Sequence, residues 1–296
     1  MRDSWRGFAQ SPAFEGALAW YFVLVWGSGY LATKAGLADA PPLTFLAIRY
    51  AFGLSLLVPA MLWIRPRWPS TAGEWGHVVV AGLLMHAVNL GGSHYAQYLG
   101  MSAGVTALVL GMQPLATAVF SSRFLGERLG PVRWAGVALG LAGVALVVWH
   151  RIDVRAVSAG SLVAVVVSLA AVTAGTLYQR TWCPRADLRA ATLVQFAASF
   201  LVLVPAAVAF ETTPVRWTAS LAFSIAFLVI FASIFAVSAL HTLMRRGHAT
   251  RVTSLLYLTP VVAVALEALL FGVWPSGLTV AGIAIACAGV ALVTRR

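Results

Sequence analysis

The chain is a tandem repeat with a constant offset of 146 residues and no gap. Prolines and glycines recur at this spacing, in the matched pairs Pro114 and Pro260, Gly136 and Gly282, and Gly143 and Gly289. The segments Ala142–Val147 and Ala288–Val293 are identical in sequence. A shared offset of this length predicts two copies of one unit, at 1–149 and 150–296.

Each copy contains five apolar segments, and each segment is long enough to cross a bilayer as a helix. The ten segments are 14–36, 43–64, 77–98, 103–121, 131–149, 157–179, 191–210, 221–243, 250–271 and 277–294. Because five is an odd number, the second copy begins on the opposite side and lies inverted in the membrane. The sequence therefore predicts an all-α integral membrane protein of ten transmembrane helices, arranged as two inverted five-helix repeats. This architecture is typical of secondary transporters.

The composition is that of a membrane protein, with 60% hydrophobic and 10% charged residues. A net charge of +11 would suggest nucleic-acid binding in a soluble protein, but here the arginines lie between apolar segments. With the N-terminus in the cytoplasm, 15 of the 20 lysines and arginines fall on the cytoplasmic side. The positive-inside rule then predicts both termini in the cytoplasm, in an inner (plasma) membrane, and no nucleic-acid partner. Cys183 and Cys287 have no metal-binding spacing, so we expect neither a metal nor a cofactor.

Several short motifs resemble one family of transporters. They are Trp26-Gly-Ser28, Lys34, Pro41-Pro42 and Arg49 near the start, and Phe124-Leu-Gly-Glu-Arg-Leu129 and Trp134-Ala-Gly136 later in the first half. Together they resemble an EamA-type half of the drug/metabolite transporter superfamily, and two such halves cover the chain. Within that superfamily the chain is most similar to YddG-type exporters of aromatic amino acids. The second half departs from the pattern, because Gly272-Val273 stands where the first half has Gly126-Glu127.

The third apolar segment carries a polar stripe. His86, Asn89, Ser93 and Gln97 fall within about 80° of arc on a helix. Such a stripe avoids lipid and faces protein or water. It predicts a substrate-facing wall, and the alternative is that these groups hydrogen-bond to neighbouring helices.

Other candidate binding residues are dispersed over several segments. Trp26 and Tyr30 flank Gly29 on the first segment, where two aromatic rings could stack on a flat substrate or only pack on a neighbour. The remaining candidates are Thr33, Gln113, Tyr178, His241 and Tyr257.

Two prolines and one pair of charges complete the candidates. Pro114 and Pro260 occupy matching segments, as hinges for alternating access or as static kinks. Arg49 and Glu267 lie at comparable depth, which predicts a structural ion pair because a buried arginine needs a partner. No carboxylate is expected near the midplane, so carboxylate-based proton coupling is not predicted.

The leading functional prediction is a secondary transporter that exports small metabolites, most of all aromatic or large apolar amino acids, by alternating access. Its partners are the small-molecule substrate and the lipid bilayer, and it is expected to work as a monomer. Lipophilic cations or sugar-type metabolites stay open as other substrates. A membrane enzyme or sensor is the alternative class, although the sequence has no H-E-x-x-H or G-x-S-x-G motif.

Overall fold

The computed structural model of the protein describes residues 12–124, 129–153, 157–236 and 258–294, together with positions 239, 242 and 243. Every regular element in these ranges is a helix. The α-helices are α1 Pro12–Gly36, α2 Pro42–Ile64, α3 Ala72–Gly82, α4 Asn89–Tyr98, α5 Ala103–Leu110, α6 Gln113–Phe124, α7 Pro131–Asp153, α8 Ala159–Trp182, α9 Leu188–Phe210, α10 Ala219–Ala226, α11 Thr259–Phe271 and α12 Gly277–Thr294. A first π-helix, Leu83–Val88, joins α3 to α4, and a second, Phe227–Ala236, follows α10.

Seven helical stretches in the described ranges are long and apolar enough to cross a membrane. They are Pro42–Ile64, Ala103–Phe124, Pro131–Trp149, Ala159–Trp182, Leu188–Phe210, Ala219–Ala236 and Gly277–Thr294. The predicted all-α class with several apolar helices of membrane-spanning length is confirmed. The predicted segments 14–36, 77–98 and 250–271 are helical in most of their described residues but do not belong to this set. The total of ten spans therefore stays a prediction.

Local sequence chemistry sets where the helices start. Pro42 occupies the first turn of α2, where the missing N–H costs no helical hydrogen bond. Ser158 and Ser161 form a reciprocal capping box at α8. The side chain of Asp187 caps α9 by accepting from the N–H of Arg189. The two helices α2 and α9, Pro42–Ile64 and Leu188–Phe210, occupy equivalent places in the two repeats, because both of their ends differ by the offset of 146 residues.

Glycines allow α7 and α12, the last helix of each repeat, to pack with their backbones in close approach. A Cβ on Gly136 would lie 2.8 Å from the carbonyl oxygen of Gly289, and a Cβ on Gly282 would lie 2.8 Å from that of Gly143. Adding the repeat offset to Gly136 gives Gly282, and subtracting it from Gly289 gives Gly143, so the two contacts are equivalent. The earlier glycine of α7 meets the later glycine of α12, so the two helices run in opposite directions. Equivalent helices of the two repeats therefore pack antiparallel along this glycine seam (Gly136, Gly143, Gly282 and Gly289). The largest apolar core surrounds the seam, with Leu108 and Val290 among its buried members.

The two π-helices occupy matching places in the two repeats. Shifting Leu83–Val88 by the repeat offset gives 229–234, which lies inside Phe227–Ala236. A π-helix has a wider turn than an α-helix and is found most often at functional sites. In this fold both π-helices face one central cavity.

The two candidate hinge prolines both lie near helix starts. The helix that begins at Ala103 is interrupted by a turn at Gly111 and Met112, so Pro114 lies in the first turn of α6. Pro260 lies in the first turn of α11. Proline is well tolerated there because its missing N–H has no helical partner to lose. A hinge role for either proline stays a prediction.

Candidate functional site

A central cavity of about 430 Å³ lies between the two halves of the chain. This volume is within the usual range of small-molecule pockets, about 300–1,000 Å³. Its walls come from α1, α2, the first π-helix, α4 and the break between α5 and α6 in the first half. The second half contributes residues of α8, α9, the second π-helix and α11.

Part of the lining follows the internal repeat. Several pairs of repeat-equivalent positions both face the cavity: Trp26 and Val172, Thr33 and Gln179, Arg49 and Gln195, Tyr50 and Phe196, His86 and Ala232, and Gln113 and Thr259. The backbone frame is thus shared by the two halves, whereas the side chains differ.

Three of the four residues in the predicted polar stripe line the cavity, namely His86, Asn89 and Ser93. Asn89 also serves the alternative role, because its Oδ1 accepts a hydrogen bond of 2.8 Å from Ser168 Oγ on α8. The fourth residue, Gln97, lies at the far end of α4 and is buried outside the lining, with no hydrogen-bond partner for its amide. The stripe continues along the helix beyond the point where the cavity ends.

A chain of hydrogen bonds connects His86 to two glutamines of the second half. His86 Nε2 lies 3.3 Å from Gln195 Oε1, and Gln195 Nε2 donates to Gln179 Oε1 at 2.8 Å. Because an amide oxygen only accepts, this orientation assigns the proton of His86 to Nε2. Gln195 was missed at the sequence level. Its repeat-equivalent position is Arg49. Two polar residues at equivalent positions of apolar helices could have indicated that both face the cavity.

One wall of the cavity is aromatic. Tyr50 and Phe196 meet edge to face with ring centroids 4.9 Å apart, and His86 meets Phe196 in the same way at 5.1 Å. Tyr50 is almost fully buried, and its hydroxyl has no hydrogen-bond partner. The rings of Tyr50 and Phe196 both belong to the cavity lining, so an apolar ligand in the cavity would contact them.

The predicted residues of α1 also line the cavity. Trp26, Tyr30 and Thr33 contribute to it beside Gly29. Trp26 packs against Phe22 with ring centroids 5.1 Å apart and is 36% exposed. An indole thus faces the cavity from α1.

The other predicted residues have different positions. Gln113 lines the cavity and donates from Nε2 to Thr176 Oγ1 at 3.0 Å. Tyr178 is not part of the lining: its hydroxyl lies 2.7 Å from Nδ1 of His77, and its ring packs near Trp182. The predicted residues His241 and Tyr257 lie outside the described part of the chain.

The predicted ion pair between Arg49 and Glu267 is wrong. Glu267, which is 2% exposed, accepts from Lys34 Nζ at 2.7 Å. Its carboxylate also accepts from the backbone N–H groups of Ala103 and Gly104, at 3.1 and 2.9 Å. The free N–H groups and positive dipole of a helix start suit a carboxylate, so Glu267 joins the start of α5 to the end of α1. Arg49 faces the central cavity instead.

Further polar links join the two halves near the end of the molecule where α1 ends and α2 begins. Asp39 pairs with Arg216 at 2.9 Å. Glu211, just after α9, accepts from the backbone N–H groups of Leu43 and Thr44, both at 2.8 Å. At the opposite end the cavity lining extends to Leu188, the first residue of α9. Polar links therefore close the halves together at one end, whereas the cavity extends towards the other.

The site has no obvious metal chemistry in its described part. No group of three or more histidine, cysteine, aspartate or glutamate side chains is placed to hold a metal ion among the described residues. Arg49 is the one residue with a permanent charge among the described lining residues, and the other polar groups there are hydroxyls, amides, imidazoles and an indole. Such a set can form hydrogen bonds to a ligand and orient it.

Comparison with known proteins gives a consistent result over the length of the chain. The profile of the EamA-like transporter family matches residues 15–149 and, separately, residues 158–295. The two matches correspond to the two copies of the sequence repeat.

Individual relatives are more distant. The chain is 28% identical over 256 residues to the "Uncharacterized inner membrane transporter YedA" of Escherichia coli K12. The aligned region covers 86% of this chain and 81% of that protein. The chain is also 25% identical over 287 residues to the "Probable amino-acid metabolite efflux pump" of the same organism, with 93% of both chains covered. A crystal structure of another protein has the same fold, with a TM-score of 0.67 at 20% identity, covering 96% of this chain and 98% of that one. The two Escherichia coli relatives are named as a transporter and an efflux pump, and not as enzymes.

Proposed function

We propose that this chain, which belongs to the EamA-like transporter family, exports aromatic or large apolar amino acids across an inner membrane. Family membership makes it a membrane transporter. The observation that carries the choice of substrate is the central cavity, in which an aromatic wall lies beside neutral hydrogen-bonding groups. An efflux pump named for amino-acid metabolites, similar over 93% of this chain, supports the same substrate class.

The chemistry of the lining suits a flat apolar side chain with a polar head group. Tyr50, Phe196 and Trp26 offer ring faces and edges, and aromatic pairs contribute about 0.5–1.5 kcal/mol beyond burial. His86 and Asn89 supply hydrogen-bonding groups nearby. No carboxylate is among the described lining residues, which disfavours lipophilic cations as substrates.

The proposed topology has ten spans in two inverted repeats, with both termini in the cytoplasm. Three observations support it. The family profile matches twice in succession, equivalent helices pack antiparallel along the glycine seam, and 15 of the 20 lysines and arginines fall on one side. With this orientation the polar links at Glu267, Asp39 and Glu211 close the outer end, and the cavity extends towards the cytoplasm.

Reporter fusions test this topology. A reporter inserted after Arg216 is expected to be active outside the cytoplasm, and one fused after Arg296 is expected to be active inside it. The activity ratio of a paired periplasmic and cytoplasmic reporter at each site provides the measurement. A C-terminus outside the cytoplasm would contradict both the ten spans and the inversion.

Transport itself is tested by flux in liposomes that contain the purified protein. We expect saturable flux of labelled phenylalanine and tryptophan, and little flux of glucose or tetraphenylphosphonium. Trp26→Ala removes a ring from the cavity and should reduce phenylalanine flux at low concentration roughly 2- to 10-fold. The matched control is Trp63→Ala, because Trp63 is 89% exposed at the end of α2 and is not part of the lining.

The same assay separates the competing substrates. Strong flux of the sugar or the organic cation, with none of either amino acid, would reject the proposed substrate class. Equal losses in Trp26→Ala and Trp63→Ala would show that the cavity assignment is wrong.

A further inference from the structure

We propose that Arg49 forms a carboxylate-binding subsite in the central cavity, an inference that rests on the proposed transport of amino acids and adds a charge requirement to it. The subsite would hold the carboxylate of the substrate through the guanidinium group. The apolar part of the substrate would then lie along the aromatic wall of Tyr50 and Phe196.

The first observation is that Arg49 has unused hydrogen-bonding capacity. It lies in the interior of α2, is 9% exposed and lines the cavity. Its one side-chain hydrogen bond runs from Nη2 to Ser233 Oγ, at 3.2 Å. A guanidinium group has five N–H donors and always carries its charge. Among the described residues only Ser233 accepts from it, so most of its donors remain available to a ligand in the cavity.

The second observation is that no carboxylate compensates this charge in the described part of the chain. The nearest candidate by depth, Glu267, is committed to Lys34 and to two backbone N–H groups. Asp39 pairs with Arg216, and Glu211 binds the start of α2. A buried cation without a counter-charge costs several kcal/mol, and its cost falls when an anion binds.

The third observation concerns two other buried groups of the same cavity. The hydroxyl of Tyr50, adjacent to Arg49 in sequence, and the hydroxyl of Thr259 are both buried and have no hydrogen-bond partner within the described part of the chain. Both residues line the cavity. Unpaired buried hydroxyls are uncommon, and here they provide additional donors for an anion.

The repeat-equivalent position shows that this feature belongs to one half only. Gln195 replaces Arg49 in the second half, and its amide is hydrogen-bonded to both His86 and Gln179. The cavity therefore has a cation on α2 with one hydrogen bond to Ser233 and, at the equivalent position on α9, a neutral amide with two hydrogen-bond partners. A carboxylate ligand is expected to bind in a single orientation, with its anionic group at Arg49.

Guanidinium is well suited to this task, because its planar fork matches the two oxygens of a carboxylate. Lysine at the same position would keep the charge but not the fork. The alternative role for Arg49 is a structural tether from α2 to Ser233 on the second π-helix. The two roles predict different ligand selectivity.

Binding to the purified full-length protein in nanodiscs tests the subsite, with four probes that differ in the carboxylate or the amine. The probes are phenylalanine, 3-phenylpropionate, phenylalaninamide and phenethylamine. In the wild type we expect both carboxylates to bind at least about tenfold more tightly than the amide and the amine. This comparison needs no substitution and so does not depend on the folding of a variant.

Substitutions then assign the selectivity to Arg49. Arg49→Gln should weaken binding of the two carboxylates at least about tenfold and should not weaken binding of phenethylamine, and Arg49→Lys should be intermediate. The matched control is Arg65→Gln, because Arg65 follows the last residue of α2 and is exposed. It should bind all four probes as the wild type does.

Each outcome has a separate meaning. Equal binding of the acid and the amide by the wild type, or equal losses for all four probes in Arg49→Gln, would overturn the carboxylate subsite. If phenylalanine crosses liposomes normally in Arg49→Gln, the subsite is wrong and the proposed function stands. If phenylalanine is neither bound nor transported but 3-phenylpropionate binds in an Arg49-dependent way, the subsite stands and the amino-acid substrate is rejected.

Discussion

Alanine at Gly143 is expected to prevent α7 and α12 from packing, with a greater loss of folded protein than any substitution in the cavity. A Cβ on Gly143 would lie 2.5 Å from the backbone nitrogen of Ala286 and 2.6 Å from the carbonyl oxygen of Gly282. Backbone atoms on both sides cannot move away without separating the helices. Overpacking of a core costs typically about 1–3 kcal/mol when side chains can yield, and here we expect the upper end of that range or more.

Two other glycines on the same pair of helices serve as controls. The nearest atoms to a Cβ on Gly140 belong to the side chains of Leu115 and Met112, which can change rotamer. Gly277, the first residue of α12, has open space around it. The fraction of monodisperse protein after detergent extraction and heating should fall in the order Gly277→Ala, Gly140→Ala, Gly143→Ala. Wild-type behaviour of Gly143→Ala would mean that the helices do not approach so closely.

Removal of Lys34 is expected to destabilise the protein by about 3–5 kcal/mol, because it leaves a buried carboxylate without its counter-ion. The side chain of Glu267 is 3% exposed, whereas that of Lys34 is 31% exposed, so water can replace only part of the lost interaction. Lys34→Met retains much of the apolar length of lysine. Thermal unfolding in detergent, followed by the loss of monodisperse protein, measures the effect.

A second substitution makes this a test of the pairing itself. Adding Glu267→Gln to Lys34→Met removes the stranded charge and should restore a large part of the lost stability. Adding Glu267→Gln to Arg49→Gln should instead lower the stability, because it takes the carboxylate away from Lys34 and the structure does not pair Arg49 with Glu267. If Glu267→Gln instead raised the thermal stability of Arg49→Gln, the result would support the pairing that was predicted from the sequence.

Sequence periodicity and spacing were sufficient for the helical class and for much of the cavity. The stripe on the third apolar segment predicted the positions of His86, Asn89 and Ser93 in the lining because helical periodicity fixes which residues share a face. Helical periodicity does not show where along the helix the cavity ends, and so the predicted stripe also included Gln97, which lies outside the lining. The π-helix at Leu83–Val88 has no clear signature in the sequence.

The wrong ion pair has a specific physical cause. Depth along a helix can be counted from the sequence, but the face that meets a given neighbour depends on how the helices pack. Counting residues from the helix ends predicted a similar depth for Arg49 and Glu267, yet Lys34 lies against Glu267 and Arg49 faces the cavity. Tyr178 illustrates the same limit, since its ring meets His77 on another face of α8.

The repeat offset would have been a better guide to the lining than residue type alone. Phe196 is the repeat equivalent of Tyr50, and Gln195 is the equivalent of Arg49, and all four face the cavity. None of these was predicted to bind the substrate. The rule holds for only part of the lining, because the equivalents of Asn89 and Ser233, which are Phe235 and Ala87, lie outside it.

The glycine seam means that the two halves are joined as the subunits of a symmetric dimer would be. Gly136 meets Gly289 and Gly143 meets Gly282, so the surface that α7 presents is complementary to an inverted copy of itself. This is the isologous geometry of a two-fold oligomer, contained within one polypeptide. The covalent connection between the halves therefore sets their stoichiometry, whereas the angle and depth at which they meet are specified by the glycines.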